Sequence, residues 1–528
     1  MVGVAAALRA APSVDDTSAM HRRSRALPWG VGAAAVTAII TGTFAWLGVV
    51  NGDEGWYVIG ARLVGEGKLP YRDFAFTQGP VYLYVLAPFV RLLPGLYTAR
   101  AVSVVCTAAA VGLLVAMARR AGGRWAAVAS GAALLAAIPS LPYWLSITKT
   151  YALSCLLLAA ILFTLTSATR PAVRFPLAAA LAIALAETRT SGAGLAVVLV
   201  AVLVVRSPDA KTRVRVVLAS AATLAPFVVL VLLEWTRAKW GLFDYHQLGA
   251  TDASGIGRFF SRTFAAMEAW PGPFVLGAAA AAVAVLDPEM RARMKRRPDL
   301  IAFAVGIVAF VLLHEAGGAF FSEEYLAPVI APLVVVSSVM LVRAATEASA
   351  ATRRRFSVAV RGVLVVGIAV TAFSGGHSYY LGRPGWSGDP AGIRAVARCV
   401  QRHSTSHDRV FALSLEEVVV QAHRRPARNV TLGPFSYQDV TTMRAHKLKI
   451  VNAHALGAMF QRQPPKVLVL TIEDIFLTQR AGRFSHRKAK NLAFYGVFRT
   501  YEPVCRTTLV RHVFENAPVE VVVYAQPK

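Results

Sequence analysis

Apolar stretches of roughly 20 residues, about the length a helix needs to cross a bilayer, recur through this chain. Eleven lie before residue 375, at 28–50, 97–118, 124–141, 150–168, 174–186, 190–206, 214–233, 271–286, 300–313, 325–342 and 357–373. A backbone in lipid must satisfy its own hydrogen bonds, so such stretches fold as helices. The expected fold class is therefore a mainly α polytopic membrane protein with eleven transmembrane helices. The first stretch runs into Asn51-Gly52-Asp53-Glu54 without a small-residue cleavage site and reads as a retained signal anchor. Segment 79–93 is also apolar, but counting it as a span would invert everything after it. It reads as an interfacial or re-entrant helix.

Charge decides orientation. The chain carries 56 Lys+Arg against 29 Asp+Glu, a net charge of +27, and such an excess suggests nucleic acid until the charges are placed. With Arg22, Arg23 and Arg25 kept in the cytoplasm, the loops 119–124, 169–174, 206–215, 287–297 and 343–361 fall on the same side. Together with the N-tail they hold 23 Lys and Arg, the bias that sets membrane topology. Eleven spans then put the C-terminus outside the cytoplasm. The expected location is the plasma membrane, and nucleic acid is excluded as a partner.

The domain plan follows. Residues 1–27 form a cytoplasmic tail. Residues 28–374 form the transmembrane domain, with a first external loop at 51–96. Residues 375–528 hold 22 Lys+Arg and 10 Asp+Glu and no spanning stretch. They read as an extracytoplasmic α/β domain. Asp389-Pro390 signals a helix start, and 409–415, 466–472 and 519–525 are short β-branched runs typical of buried strands. In an oxidising space Cys399 and Cys505 form either a disulfide or two separate buried thiols. Cys106 and Cys155 lie in spans.

The first external loop is the most informative segment. Trp56, Ile59 and Leu63 share one helical face directly after Asp53-Glu54, which predicts a short amphipathic helix lying on the membrane. Carboxylates at this depth are costly unless paired or used. Asp53-Glu54 reads either as a general base or as polar residues ending a span.

Asp53-Glu54, then Gly67-Lys68-Leu-Pro-Tyr71-Arg72-Asp73-Phe and Gln78-Gly79-Pro80-x-Tyr82, resemble the first-loop signature of GT-C type polytopic glycosyltransferases. These are the relatives of protein mannosyltransferases and lipid A aminoarabinose transferases (glycosyltransferase family 39). Glu324-Tyr325-Leu-Ala-Pro328 and Ala186-Glu-Thr-Arg189 resemble two further segments of that family. The resemblance implies an inverting transfer of a sugar from a polyprenyl-phosphate donor to a glycan, lipid or protein acceptor on the outer face. Asp53 would be the base, with Glu54 its neighbour or understudy. The leaving phosphate calls for cations, and the outer side offers Lys68, Arg72, Lys149, Arg189, Arg258 and Arg262. Asp73, Gln78, Glu324 and Tyr325 complete the expected substrate-binding set.

One departure stands out. The turn before residue 151 carries Lys149 where the family often has a second acid. His314-Glu315 and Glu323-Glu324 offer oxygen and nitrogen ligands without metal-site spacing, so no cofactor is implied and a divalent metal is unsupported. The competing function is a transporter or flippase of lipid-linked glycans. It would need internal repeats and polar residues at mid-span. No repeat is evident, and the ionisable residues cluster at span ends.

Overall fold

The structure, a computed structural model, describes residues 26–48, 50–137, 141–167, 169–247, 255–317, 323–347, 353–376, 390–471, 474, 478–480, 483–485, 500–510 and 518–527. All eleven apolar stretches fall on helices. Several begin where the sequence provides a start. Pro sits in the first turn of Leu27–Leu47, Pro171–Thr188 and Pro271–Leu286, where its missing N–H costs nothing. Asp209 caps Ala210–Leu233 by accepting from the Thr212 N–H.

The stretches 97–118 and 124–141 are two arms of one 41-residue helix, Leu96–Ala136, broken at Gly123, whose φ is 75°. Glycine tolerates that left-handed backbone. Among the described residues, five helices are long and apolar enough to cross a membrane, or six if the bent pair Phe259–Ala269 and Pro271–Leu286 is one span. Others, such as Tyr151–Thr166 and Gly192–Val205, are apolar but shorter. The helices bury a large shared core and a second one around the first loop, and leave Val31, Ile39, Val228, Leu232 and Val365 exposed, a surface suited to lipid rather than water.

After residue 390 the chain builds a five-stranded mixed sheet in the order β2-β1-β3-β7-β6. The strands are β1 (Arg409–Ala412), β2 (Arg425–Pro426), β3 (Val467–Thr471), β6 (Glu502–Val510) and β7 (Pro518–Ala525). A separate pair joins β4 (Thr478–Arg480) to β5 (Arg483–Ser485). β1 runs parallel to β2 and β3, and β7 closes antiparallel to β3 and β6. β3 is buried along its whole length, as its unbroken apolar run requires of a central strand. Helix Pro390–Arg402 begins at the anticipated proline; Asp389 lies outside the described residues. The helix is tied to β6 by a Cys399–Cys505 disulfide, with the Cα atoms 6.6 Å apart.

This tail domain packs directly on the first loop, which corrects one expectation. Helix Glu54–Gly65 does form, but it does not lie with one face free. Every residue from Glu54 to Ala61 is buried by protein. Segment 79–93 becomes helix Val81–Leu92 and covers one side. The tail helix Glu416–Gln421 covers another, so closely that a Cβ on Gly55 would lie 2.5 Å from the Glu417 backbone nitrogen. Arg62 Nη1 donates to the Arg424 carbonyl at 2.8 Å, Arg237 Nε to the Lys447 carbonyl at 2.6 Å, and Arg394 Nη1 to the Tyr97 hydroxyl at 2.7 Å.

Glu416 sits inside this seam. Burial, reinforced by Glu417 and opposed by the Gly433 N–H, holds its carboxyl well above the usual range. A proton kept in the folded state and released in the unfolded one makes stability fall as pH rises past the ordinary carboxylate value. Glu416→Gln should therefore raise the melting temperature more at pH 8 than at pH 5; an equal shift at both would show that the carboxyl is not the cause. Gly55→Ala should lower the melting temperature at both, because backbone atoms cannot move aside for the new methyl.

Candidate active site

The site grows from one buried ion pair. Glu54 is fully buried and takes both ends of the Arg100 guanidinium, at 2.6 Å from Nη2 and 2.8 Å from Nε. Its carboxylate also accepts the N–H groups of Asn51 at 2.9 Å and Thr148 at 2.8 Å. Arg100 Nη1 donates to the carbonyls of Ala45 at 2.8 Å and Gly48 at 3.2 Å. Bidentate pairing with most of the other donors engaged is what a buried charge pair needs. Ser103 and Thr107, farther along the Arg100 helix, donate to the carbonyls of Ile147 at 3.0 Å and Leu145 at 2.8 Å. The turn carrying Lys149 is thus held against the start of the first loop.

Glu54 is therefore closed off from solvent and tied down by its partners. Asp53, one residue earlier, keeps 27% of its side chain exposed and lies 2.8 Å from Lys149 Nζ. The same ammonium meets Glu324 Oε1 at 2.9 Å, and that oxygen also accepts from the Tyr151 hydroxyl at 3.1 Å. Burial by itself would lower Lys149, but Asp53 and Glu324 outweigh it and hold the ammonium well above its ordinary value. The acid missing from the 142–151 turn is supplied from the other end of the domain.

Arg189 stands beside this triad, buried, with Nη1 donating to Thr150 Oγ1 at 3.2 Å. Its guanidinium lies 5.1 Å from the Tyr151 ring and 5.3 Å from the Tyr325 ring, a cation–π seat. No carboxylate pairs with it among the described contacts. Arg262 is buried within electrostatic reach of His314, and the His314 ring packs 4.5 Å from Tyr325.

Three more residues belong here that spacing did not single out. Tyr57 lies within reach of Asp53, Lys149 and Arg189; burial first, then Asp53, raise its hydroxyl. Tyr245 is in reach of Asp53, Tyr325 and Tyr57. His246 Nε2 lies 2.7 Å from the Thr77 carbonyl. A carbonyl can only accept, so Nε2 carries the proton and Nδ1 faces the other way as an acceptor. Burial lowers His246 and Arg189 adds to that, against the Thr77 contact. Tyr245 and His246 follow a π-helical turn, Trp240–Asp244, a distortion common at functional sites. It fits there because Gly241 lets the backbone pass the Phe76 carbonyl, which a Cβ would strike at 2.0 Å.

The rest of the first loop serves its own shape. Asp73 accepts from the Leu69 N–H at 2.8 Å and pairs with Arg72 at 3.0 Å. Tyr71, at a φ of 64°, donates its hydroxyl to the Gln78 carbonyl. Lys68 is exposed. Lys68, Arg72 and Asp73 make none of the described contacts with the Asp53 triad; Gln78 is half-buried next to Thr77. The side chains of Arg258, Glu315 and Glu323 lie outside the described residues.

No protein-family model and no curated protein matches this sequence. Solved structures do. The chain is similar to ArnT from Cupriavidus metallidurans in a crystal structure with undecaprenyl phosphate bound, at a TM-score of 0.57 and 15% identity, over 94% of this chain and 98% of that one. The apo form of the same protein aligns at 0.55 and 15% identity, over 92% and 97%. The chain thus has the GT-C fold of polytopic membrane glycosyltransferases, helical domain and C-terminal α/β domain together.

The buried pair generates a prediction. Arg100→Met leaves Glu54 charged and unpaired, which costs about 3–5 kcal/mol. It should show as a large loss of melting temperature and of folded yield in detergent. A variant with wild-type stability would remove the pair from its structural role.

Proposed function

We propose that this protein transfers a sugar from a polyprenyl-phosphate-linked donor to an acceptor hydroxyl, with inversion and with Asp53 as general base. The observation that carries the reading is the exposed edge of Asp53, held by Lys149, which Glu324 also pairs, beside a buried Arg189 that has no carboxylate partner among the described contacts. Asp53 takes the proton of the acceptor hydroxyl as its oxygen attacks the anomeric carbon. The bond from that carbon to the phosphate oxygen breaks, and its electron pair leaves with the lipid phosphate. Lys149 is neutralised by two carboxylates, so Arg189, with Arg262 nearby, is the better placed cation for that growing charge. The tyrosine faces that seat Arg189 restrict its motion without cancelling its charge. The fold match to ArnT, seen with undecaprenyl phosphate, supports the donor class.

A divalent cation does not fit between the two carboxylates, because Lys149 Nζ already lies within 3 Å of both. The reading therefore routes no step through a metal. The tail domain is assigned to the outer face, with the N-terminus in the cytoplasm. The 23 inner-loop cations support this, as does the Cys399–Cys505 disulfide, a bond of oxidising compartments.

Asp53→Asn should leave folding intact and lower transfer from a polyprenyl-phosphate sugar by about 10²–10⁴-fold. Near wild-type turnover would refute the base assignment. Arg189→Ala should weaken undecaprenyl phosphate binding about tenfold or more, the worth of a charged hydrogen bond; unchanged binding by native mass spectrometry would move the phosphate elsewhere. Chelation with EDTA should leave turnover unchanged. A periplasmic reporter fused to the C-terminus should be active only outside the cytoplasm.

A further inference from the structure

One turn of the tail domain packs on the residues that follow Asp53: a Cβ on its Gly433 would lie 3.8 Å from the Trp56 ring. Ser436 Oγ accepts the N–H groups of Thr431 at 3.0 Å and Leu432 at 2.8 Å, and the Ser436 carbonyl accepts from Val451 at 2.8 Å. Gln438 Nε2 donates to the Phe435 carbonyl at 3.1 Å. Gly433 holds the left-handed bend at a φ of 57°. The turn is therefore rigid. Every residue from Val430 to Gln438 is buried apart from Phe435, which keeps part of its ring exposed. That ring meets Tyr245 at 5.5 Å and 87°. Tyr245 is itself half-buried and, as described, within electrostatic reach of Asp53.

We propose that Phe435 and Tyr245 form the acceptor subsite: an aromatic corner that packs against the C–H face of a saccharide ring and presents one of its hydroxyls to Asp53. The proposal rests on the sugar-transfer reading and names the acceptor class within it. Two physical arguments support it. The lipid-linked donor enters along the spanning helices, where Arg189 and Lys149 stand at helix ends. Phe435 instead belongs to the part of the chain without a spanning helix, so what it touches arrives from water. Secondly, a phenyl ring offers no hydrogen bond. It binds by apolar area and shape, which suits the C–H face of a sugar ring and suits a phosphate poorly. Edge-to-face geometry leaves a corner between the two rings rather than a closed stack.

The test uses the full chain in nanodiscs with a panel of di- to tetrasaccharides of mannose, arabinose and galactose. Phe435→Ala should raise the acceptor KM about 2–10-fold, the worth of one aromatic contact. The donor KM and undecaprenyl phosphate binding should stay at wild-type values, and Phe435→Trp should restore the acceptor KM. An unchanged acceptor KM, or a rise shared equally by the donor, would overturn the subsite. Saturation-transfer NMR reads saccharide binding without turnover. Ring-proton signals present with wild type and lost in Phe435→Ala support the subsite even where no transfer is detected, in which case the sugar-transfer reading alone has failed. Absence of those signals with wild type overturns the subsite itself.

Discussion

The Glu54–Arg100 pair is the constraint on which the rest of the site depends. A buried carboxylate and guanidinium are tolerated only when nearly all their donors and acceptors are met, and here they are met by three separate parts of the chain. The end of the first helix gives two carbonyls, the loop start gives the Asn51 N–H, and the 145–149 turn gives the Thr148 N–H. Asp53 and Lys149 are the sequence neighbours of Glu54 and Thr148. Fixing the inner pair therefore brings the outer pair to 2.8 Å. Two adjacent carboxylates thus have opposite environments, Glu54 sealed and Asp53 partly open.

Charge balance then divides the labour among the cations. Lys149 lies between Asp53 and Glu324, while Arg189 is seated on two tyrosine faces, with no carboxylate partner among the described contacts. A basic protein of this kind could have scattered phosphate binders along its outer loops. Instead Arg72 is spent on Asp73, and Arg237 on Glu234 and on backbone carbonyls that join loop to tail. Only a few cations converge on one place, and that convergence is what turns a surplus of charge into a site.

The tail domain is part of the same assembly. Its helix Glu416–Gln421 rests on the Gly55 backbone, one residue beyond Glu54, and its Phe435 meets Tyr245. The close approach works because glycine has no Cβ to interpose. Movement of the tail would be felt at the first turn of the helix that Asp53 begins.

Much of the fold was legible from sequence, because helix formation in lipid depends on local apolar length, and each apolar stretch is helical. Asp53 and Glu324-Tyr325 could be nominated from motifs that resemble a family's, and Lys149 and Arg189 because each stands in a short outer turn between apolar stretches. Tyr57, Tyr245 and His246 could not: an aromatic in a polytopic protein has no local mark separating a site wall from packing. The Trp240-Gly241 step that opens the π-turn was the one available signal. The roles of Glu54 and Asp53 were equally out of reach. The two residues are neighbours, and only a partner 46 positions away, Arg100, tells them apart. Sequence by itself determined the helices, the charge asymmetry and the separate α/β tail, since these follow from composition over short windows. Only the tertiary structure decided which carboxylate is sealed, which cation is left unpaired and which tail residue reaches the site, since those depend on contacts between segments distant in the chain.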